Sequence, residues 1–258
     1  MIYAKKKLGQ HFLHDENIAR KIVEIFLREN SSEIILEVGP GTGALTKYLL
    51  EESSLKYFAV ETDERMIVEL QRQFSSLKSN LIHGDFLEFD FNTIQSGEIS
   101  VIGNFPYNIS SQILFKILDN KERVPLMLGM FQKEVAKRIA SGEGNKDYGI
   151  LTILIQAFYD VKYLFEVHEQ NFSPAPRVKS AVIQLMRKKR PPDLKNESFF
   201  RSLVKAGFNQ RRKKLKNSLS NFLAGKNLDD EEVFSQRAEQ LSVDEWIELS
   251  NKLYDLHS

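Results

Sequence analysis

Apolar residues in the first two-thirds of the chain fall into short near-continuous runs separated by segments with a helical period. Ile18, Ile22, Val23, Ile25 and Phe26 recur at that period, and Asp15 stands where a carboxylate can cap the first free amides. Ile34-Ile35-Leu36-Glu37-Val38 is the kind of run that a strand buried on both faces carries, and it leads into Gly39-Pro40-Gly41-Thr42-Gly43. A helix is expected over residues 44–50. Tyr57-Phe58-Ala59-Val60 makes the next strand and ends on Glu61, followed by a helix over 64–74 and a strand over 81–83 that ends near Gly84-Asp85. Strands at 101–103 and 125–131, with helices at 110–118 and through Val135 and Ile139, continue the alternation. This spacing predicts an α/β fold with a doubly wound, mostly parallel sheet. Two later β-rich stretches, 161–167 and 181–185, predict an antiparallel edge hairpin.

The pattern changes after residue 188. Arg187-Lys188-Lys189-Arg190-Pro191-Pro192-Asp193 has charge, paired prolines and no periodicity, as linkers do. Beyond it every apolar spacing is helical, and Ser242 with Glu245 forms a capping-box pattern before Trp246, Leu249, Leu253 and Leu256. Two domains are therefore expected: residues 1–188, and a small all-α domain over 189–258.

Composition adds exclusions more than assignments. The 42% hydrophobic and 28% charged residues are an ordinary globular balance, and the absence of cysteine removes disulfides and thiolate metal sites. The basic start of the chain has no apolar core behind it, so it does not resemble a signal peptide. The longest apolar stretch, residues 149–158, is too short to span a bilayer. A soluble, cytoplasmic, monomeric protein is the default expectation. Net charge is only +1, but it is segregated. Residues 205–216 carry Lys205, Arg211, Arg212, Lys213, Lys214 and Lys216 without an acid, whereas Asp229, Asp230, Glu231, Glu232, Glu239, Asp244, Glu245 and Glu248 follow against Arg237 alone. Such a basic run suits a phosphate backbone and a solvated helix face equally well.

The candidate chemistry lies at the strand ends. Gly39, Gly41 and Gly43 between a buried strand and a helix let the backbone approach a nucleotide-like ligand closely, and Glu61 at the next strand end is placed to accept from ribose hydroxyls. Asp85 after the third strand can accept from an adenine amino group. Tight turns with surface acids would show the same residues. A nicotinamide dehydrogenase is the competing reading, and no hydride-transfer acid–base pair supports it. Asn104-Phe105-Pro106-Tyr107 is more pointed. The lone pair of adenine N6 is conjugated into its ring, so attack on a sulfonium methyl needs acceptors aimed at its two hydrogens. The Asn104 side-chain carbonyl and a main-chain carbonyl of Phe105 or Pro106 can supply them, the proline holding the turn outward. Tyr107 can stack on an extruded base. Phe172, before Ser173-Pro174-Ala175-Pro176, reads from spacing alone as a buried residue pinning a loop.

These motifs together resemble the ribosomal RNA small-subunit adenine dimethyltransferase family. The resemblance runs from Leu8-Gly9-Gln10-His11-Phe12-Leu13 through Glu37–Gly43, Glu61-Thr62-Asp63, Gly84-Asp85 and Asn104–Ser110. It continues through Gln132-Lys133-Glu134-Val135, Tyr148-Gly149, Phe172–Val182 and Phe208–Asn217. It implies a Rossmann-like class I methyltransferase domain and a helical RNA-binding domain. His11, Leu13, Gly39, Gly41, Glu61, Asp85 and Asn104 would line an S-adenosylmethionine site. Asn104, Pro106 and Tyr107 would hold the target adenine, with Phe172 on its other side, and Arg211, Arg212, Lys213, Lys214 and Lys216 would meet RNA. The implied reaction is N6,N6-dimethylation of two adjacent adenosines near the 3′ end of 16S ribosomal RNA, in the small subunit or its precursor. His11 stands where asparagine is also common in the family, and Phe105 where leucine is commoner. The related group that dimethylates 23S ribosomal RNA, and a non-catalytic assembly or transcription factor on the same fold, are the alternatives.

Overall fold

The computed structural model describes residues 4–5, 8–77, 79–94, 97–223 and 231–256. Lys6 and Lys7 of the basic start, and Asp229 and Asp230 of the acidic stretch, lie outside the described residues. A two-residue strand, β1 (Phe12–Leu13), precedes α1 (Glu16–Glu29), whose first free amides are met as expected: Asp15 accepts from the Ile18 amide at 3.0 Å. The apolar runs then alternate as β2 (Ile34–Val38), α2 (Thr46–Leu49), β3 (Lys56–Glu61), α3 (Glu64–Gln73), β4 (Leu81–His83), β5 (Ile99–Asn104), α4 (Ser110–Asp119), β6 (Leu126–Gln132) and α5 (Lys133–Ile139). After α6 (Ile150–Phe158) come β7 (Tyr159–Val167), β8 (Phe172–Ser173) and β9 (Ser180–Arg187). The remaining helices are α7 (Glu197–Asn209), α8 (Leu215–Ser218), α9 (Ser220–Leu223), α10 (Glu232–Ser235) and α11 (Val243–Asp255).

Seven strands form one sheet in the order β4-β3-β2-β5-β6-β9-β7. β4, β3, β2, β5 and β6 pair in parallel, and β9 joins β6 antiparallel with Ser180 opposite Gln132 and Met186 opposite Leu126. The late β-rich stretches thus do occupy one end of the sheet, with β9 inside and β7 outermost. β2 is buried throughout, which explains its unalternating sequence. From β2 the chain runs to β3 and β4 on one side and then returns to β5 on the other, so β2 and β5 flank the switch point where open α/β sheets bind ligands. β1 and β8 make a separate antiparallel pair, with Leu13 opposite Phe172.

The chain divides into two compact units, residues 1–136 with 160–187, and residues 137–159 with 188–258. One crossing lies between 187 and 188, beside the expected division of 1–188 from 189–258, but residues 137–159, expected in the first domain, group with the second unit. The other two crossings enclose α6, a strongly apolar helix that packs within this second unit on α7 and α11. Within that second unit Trp246 is fully buried, its ring lies where a Cβ on Gly207 would be, and its indole N–H donates to the Ala238 carbonyl. The Ser242–Glu245 capping box opens α11, each residue accepting from the other's amide.

Candidate cofactor and target-base site

The carboxyl ends of β4, β3, β2 and β5 stand side by side, and a pocket opens there. The glycine turn, Glu61, Asp85, Asn104 and the segment 8–13 line it. Gly39 has φ +67° and its amide donates to the Val60 carbonyl, so the turn needs a left-handed residue directly after β2. Apart from Gly39 and its two chain neighbours, no atom of the described residues lies within 4 Å of where a Cβ at Gly39 would be; the cradle is open toward the pocket. Gly43 serves packing instead, since a Cβ there would come 2.7 Å from the Phe74 ring.

Glu61 is buried at the end of β3. One carboxylate oxygen accepts from the Gly41 amide at 3.0 Å and the other from the Asp63 amide at 2.9 Å. Burial raises its pKa, and those amides oppose the rise. Each oxygen keeps a lone pair for another donor. Asp85 is exposed; its Oδ1 accepts from the Leu87 amide at 2.8 Å, closing the turn after β4.

Asn104 ends β5 with a defined orientation. Its Nδ2 donates to the His11 backbone carbonyl at 2.8 Å, which leaves Oδ1 without a partner among the described residues. Pro106 follows in extended geometry and its carbonyl accepts weakly from Ile109 and Ser110 at 3.4 Å, whereas the Phe105 carbonyl has no partner among the described residues. The Phe105 ring points the other way and packs on Phe131, 4.8 Å between centroids. Tyr107 stacks on the His11 ring at 5.3 Å, and its hydroxyl bonds the Ser180 hydroxyl. Burial raises the Tyr107 pKa. His11 is held from the other side by Nδ1 against the Pro174 carbonyl at 2.7 Å. Pairing of β1 with β8 brings Phe172 beside Leu13, but the Phe172 ring is 3% exposed and belongs to the apolar core with Leu13, Ile22 and Val167.

The basic stretch is in the second unit and its members differ. Arg211 is used internally: Nη2 donates to the Asn145 carbonyl at 3.1 Å, the guanidinium lies 3.7 Å from Glu239 and it faces the Phe208 ring. Arg212, Lys213, Lys214 and Lys216 are exposed, and their side chains have no protein partner among the described residues.

Three polar residues escaped the sequence reading of roles. Glu37, inside β2, is 2% exposed and accepts from the Thr46 hydroxyl at 2.8 Å and the Tyr57 hydroxyl at 2.5 Å. Burial lifts its pKa to about 7 against those two hydrogen bonds, with a further push from Glu61. Asp63, also buried, accepts from Arg65, Gln10 and Lys5, and the Arg65 guanidinium above all holds its pKa far below the carboxylate range. Gln10 is the third. A lone acid in an apolar run was the available signal for Glu37; the others depend on pairings more than fifty residues apart. Among the described residues no cluster of ligating side chains could hold a metal ion, and no helix is long and apolar enough to cross a membrane.

The family model described as ribosomal RNA adenine dimethylase matches residues 1–255. A relative from Cytophaga hutchinsonii, named ribosomal RNA small subunit methyltransferase A, is 49% identical over 252 residues, which cover 98% of each chain. Among solved structures, a dimethyladenosine transferase from Plasmodium falciparum is 26% identical with a TM-score of 0.78, covering 96% of this chain and 98% of that one. The 23S rRNA methyltransferase ErmE is 23% identical with a TM-score of 0.70 over 94% of this chain and 99% of its own, a likeness of fold.

Proposed function

The chain belongs to the ribosomal RNA adenine dimethylase family, and from that premise we propose that it dimethylates N6 of two adjacent adenosines near the 3′ end of 16S ribosomal RNA. One observation carries the reading: at a single sheet edge an open glycine turn beside a buried glutamate adjoins an asparagine whose amide is turned so that its oxygen is free. The methyltransferase fold and family imply S-adenosylmethionine, which supplies an electrophilic methyl group when bound.

Gly39 and Gly41 present backbone to that cofactor, and the open space at Gly39 is a cradle that any side chain there would fill. Glu61 accepts hydroxyl hydrogens with its remaining lone pairs, and Asp85 accepts an amino hydrogen with the oxygen that its own turn leaves unused. Leu13 supplies an apolar wall, and His11 contributes through its backbone. Asn104 Oδ1 and the Phe105 carbonyl would accept the two N6 hydrogens and draw the nitrogen lone pair out of ring conjugation, so that nitrogen can take the methyl group as its bond to sulfur breaks and the surplus N6 proton passes to water. Pro106 fixes the turn that carries both acceptors. Tyr107, held by His11 and Ser180, stacks on the extruded base. For Phe172 to close the opposite side, its ring must leave the buried cluster. Arg212, Lys213, Lys214 and Lys216 neutralise phosphates, while Arg211 supports the surface that presents them. A single chain carries every one of these parts, so we assign a monomer. Such a substrate puts the work in the cytoplasm, in assembly of the small subunit.

The test supplies labelled S-adenosylmethionine with small or large ribosomal subunits that lack the modification. Label is expected in two neighbouring adenosines of small-subunit RNA. Label in large-subunit RNA would transfer the chain to the 23S-modifying branch, and none in either would leave the assembly-factor reading.

A further inference from the structure

Residues 8–13 lie across the pocket, yet they belong to no element of the main sheet. Their attachments explain what fixes them. Gln10 spends both ends of its amide on protein: Oε1 accepts from the Lys5 backbone amide at 2.8 Å and Nε2 donates to Asp63 at 3.0 Å. Lys5 also reaches Asp63, at 3.2 Å, and its carbonyl accepts from the Leu8 amide at 3.0 Å. Asp63 itself is held from several sides. It is 1% exposed, forked by Arg65 at 3.0 and 2.6 Å, and caps α3 two residues after the cofactor-side acid Glu61.

From that anchor the segment runs to the target turn. Gly9 has φ +63°, and a Cβ there would stand 2.6 Å from the Asn108 side-chain oxygen, so the strap lies directly on the turn after β5. One residue past Gln10, the His11 carbonyl receives the Asn104 amide and the His11 ring packs on Tyr107. The strap is therefore a strut between the end of β3 and the end of β5. Asn104 can offer Oδ1 to a base only while Nδ2 has a fixed acceptor, because the two ends of an amide exchange places on rotation about its last bond.

We infer that Gln10 and Asp63 are positioning residues for methyl transfer: by clamping the strap to the end of β3 they hold the His11 carbonyl that orients the Asn104 amide. This rests on the proposed function. Neither residue touches the reacting atoms. Their effect reaches the base through His11 and Asn104, and it should show in turnover with cofactor saturating. A displacement of about 1 Å in a supporting group costs up to about a hundredfold in rate, and that sets the scale.

The experiment compares wild type, Gln10→Leu, Asn104→Ala and the double variant on unmodified small subunits at saturating S-adenosylmethionine. Gln10→Leu keeps the side-chain size and removes both hydrogen bonds; its kcat should fall by about ten- to a hundredfold with a thermal midpoint close to wild type. In the Asn104→Ala background the same change should have almost no further effect, because the group that it positions is gone. Lys5→Ala, a milder and surface-exposed change, should lower kcat about two- to threefold and likewise lose its effect without Asn104. Wild-type turnover in Gln10→Leu would overturn the inference, as would independent, multiplying losses in the double variant. A wild-type enzyme that methylates neither subunit would instead fail the functional reading, so the two failures are separable.

Discussion

The sheet-edge pocket and the basic surface of the second unit are built in opposite ways. At the pocket almost every polar side chain is restrained by protein: Glu61 by two amides, Asn104 by the His11 carbonyl, Tyr107 by Ser180 and His11, Asp63 by three side chains. On the basic stretch Arg211 is restrained, whereas Arg212, Lys213, Lys214 and Lys216 extend into solvent. The difference matches the tasks proposed for the two regions. Meeting a base during a change of bonding requires groups already in place, since reorganisation would add to the barrier. Meeting a phosphate backbone requires charge, and long mobile side chains can follow an RNA whose path varies.

The largest expected effect breaks the restrained side. Asn104→Ala should lower turnover by about 10²–10³, the scale for losing one preorganised hydrogen-bond partner, while affinity for the subunit stays near wild type. Single-turnover assays at saturating cofactor read this directly, and near-normal turnover would leave the pocket with no oriented acceptor.

Glu37 asks how far the restraint extends beneath the pocket. Its pKa is about 7 in the fold against an ordinary 4.5. As pH rises, the unfolded chain loses this proton first. The stability linked to the protonated group is present in full below about 4.5 and is lost by about pH 7, a change on the order of 3 kcal/mol. Glu37→Gln preserves the acceptor for Thr46 and Tyr57 without a titrating proton. Urea midpoints of the variant should therefore decline less between pH 5 and 7 than those of wild type. Parallel curves would mean that the glutamate is ionised in the fold. Asp63, whose pKa is lowered, loses its contribution on the acid side and falls outside this window.

The smallest effect per residue belongs to the exposed cations. Changing Arg212, Lys213, Lys214 and Lys216 to glutamine should weaken subunit binding and flatten its dependence on salt by about 0.7–0.9 of a log unit for each phosphate left without its cation. Methylated positions and cofactor affinity should not change. Arg211→Gln should appear in the stability of the second unit instead. An unchanged salt slope in the quadruple variant, measured by filter retention at several salt concentrations, would return the stretch to an ordinary solvated surface.

Local pattern carried much of this architecture. The apolar run at 34–38, its glycines and the cap at Asp15 announce strand, turn and helix because each rests on neighbours in sequence. The pocket acids were legible for the same reason: a strand end is a local event, and parallel strands put their ends together. What stayed hidden depends on distance along the chain. The apolar stretch at 149–158 reads only as too short to cross a bilayer; nothing local says that it forms α6 or that α6 packs on α7 and α11. Six cations between residues 205 and 216 read alike, although Asn145 and Glu239 single out Arg211. Gln10 and Asp63 carry no sign of each other across 53 residues. Phe172 is buried in the structure, as its spacing alone indicated, while the resemblance gives it an open face.

Phe105 ties the target turn to the sheet beneath it in a way that bears on how this sequence can drift. Gly103 and Gly129 are register partners on β5 and β6, and a Cβ at Gly129 would stand 1.9 Å from the Phe105 ring. A Cβ at Gly103 would meet the Val38 carbonyl at 2.6 Å as well as that ring. The phenyl group occupies the slot that two missing side chains create, so alanine at 129 is closed to this lineage while phenylalanine remains at 105. A leucine at 105 lacks the ring atom that stands 1.9 Å away but keeps a branch carbon where the ring Cδ2 stands, 2.5 Å from that Cβ, so alanine at 129 also requires the leucine to turn aside. Position 103 stays closed even then, since the backbone of β2 cannot give way. Positions 105 and 129 are thus one heritable unit, to be exchanged in order or together, and 103 is the fixed point around which they move.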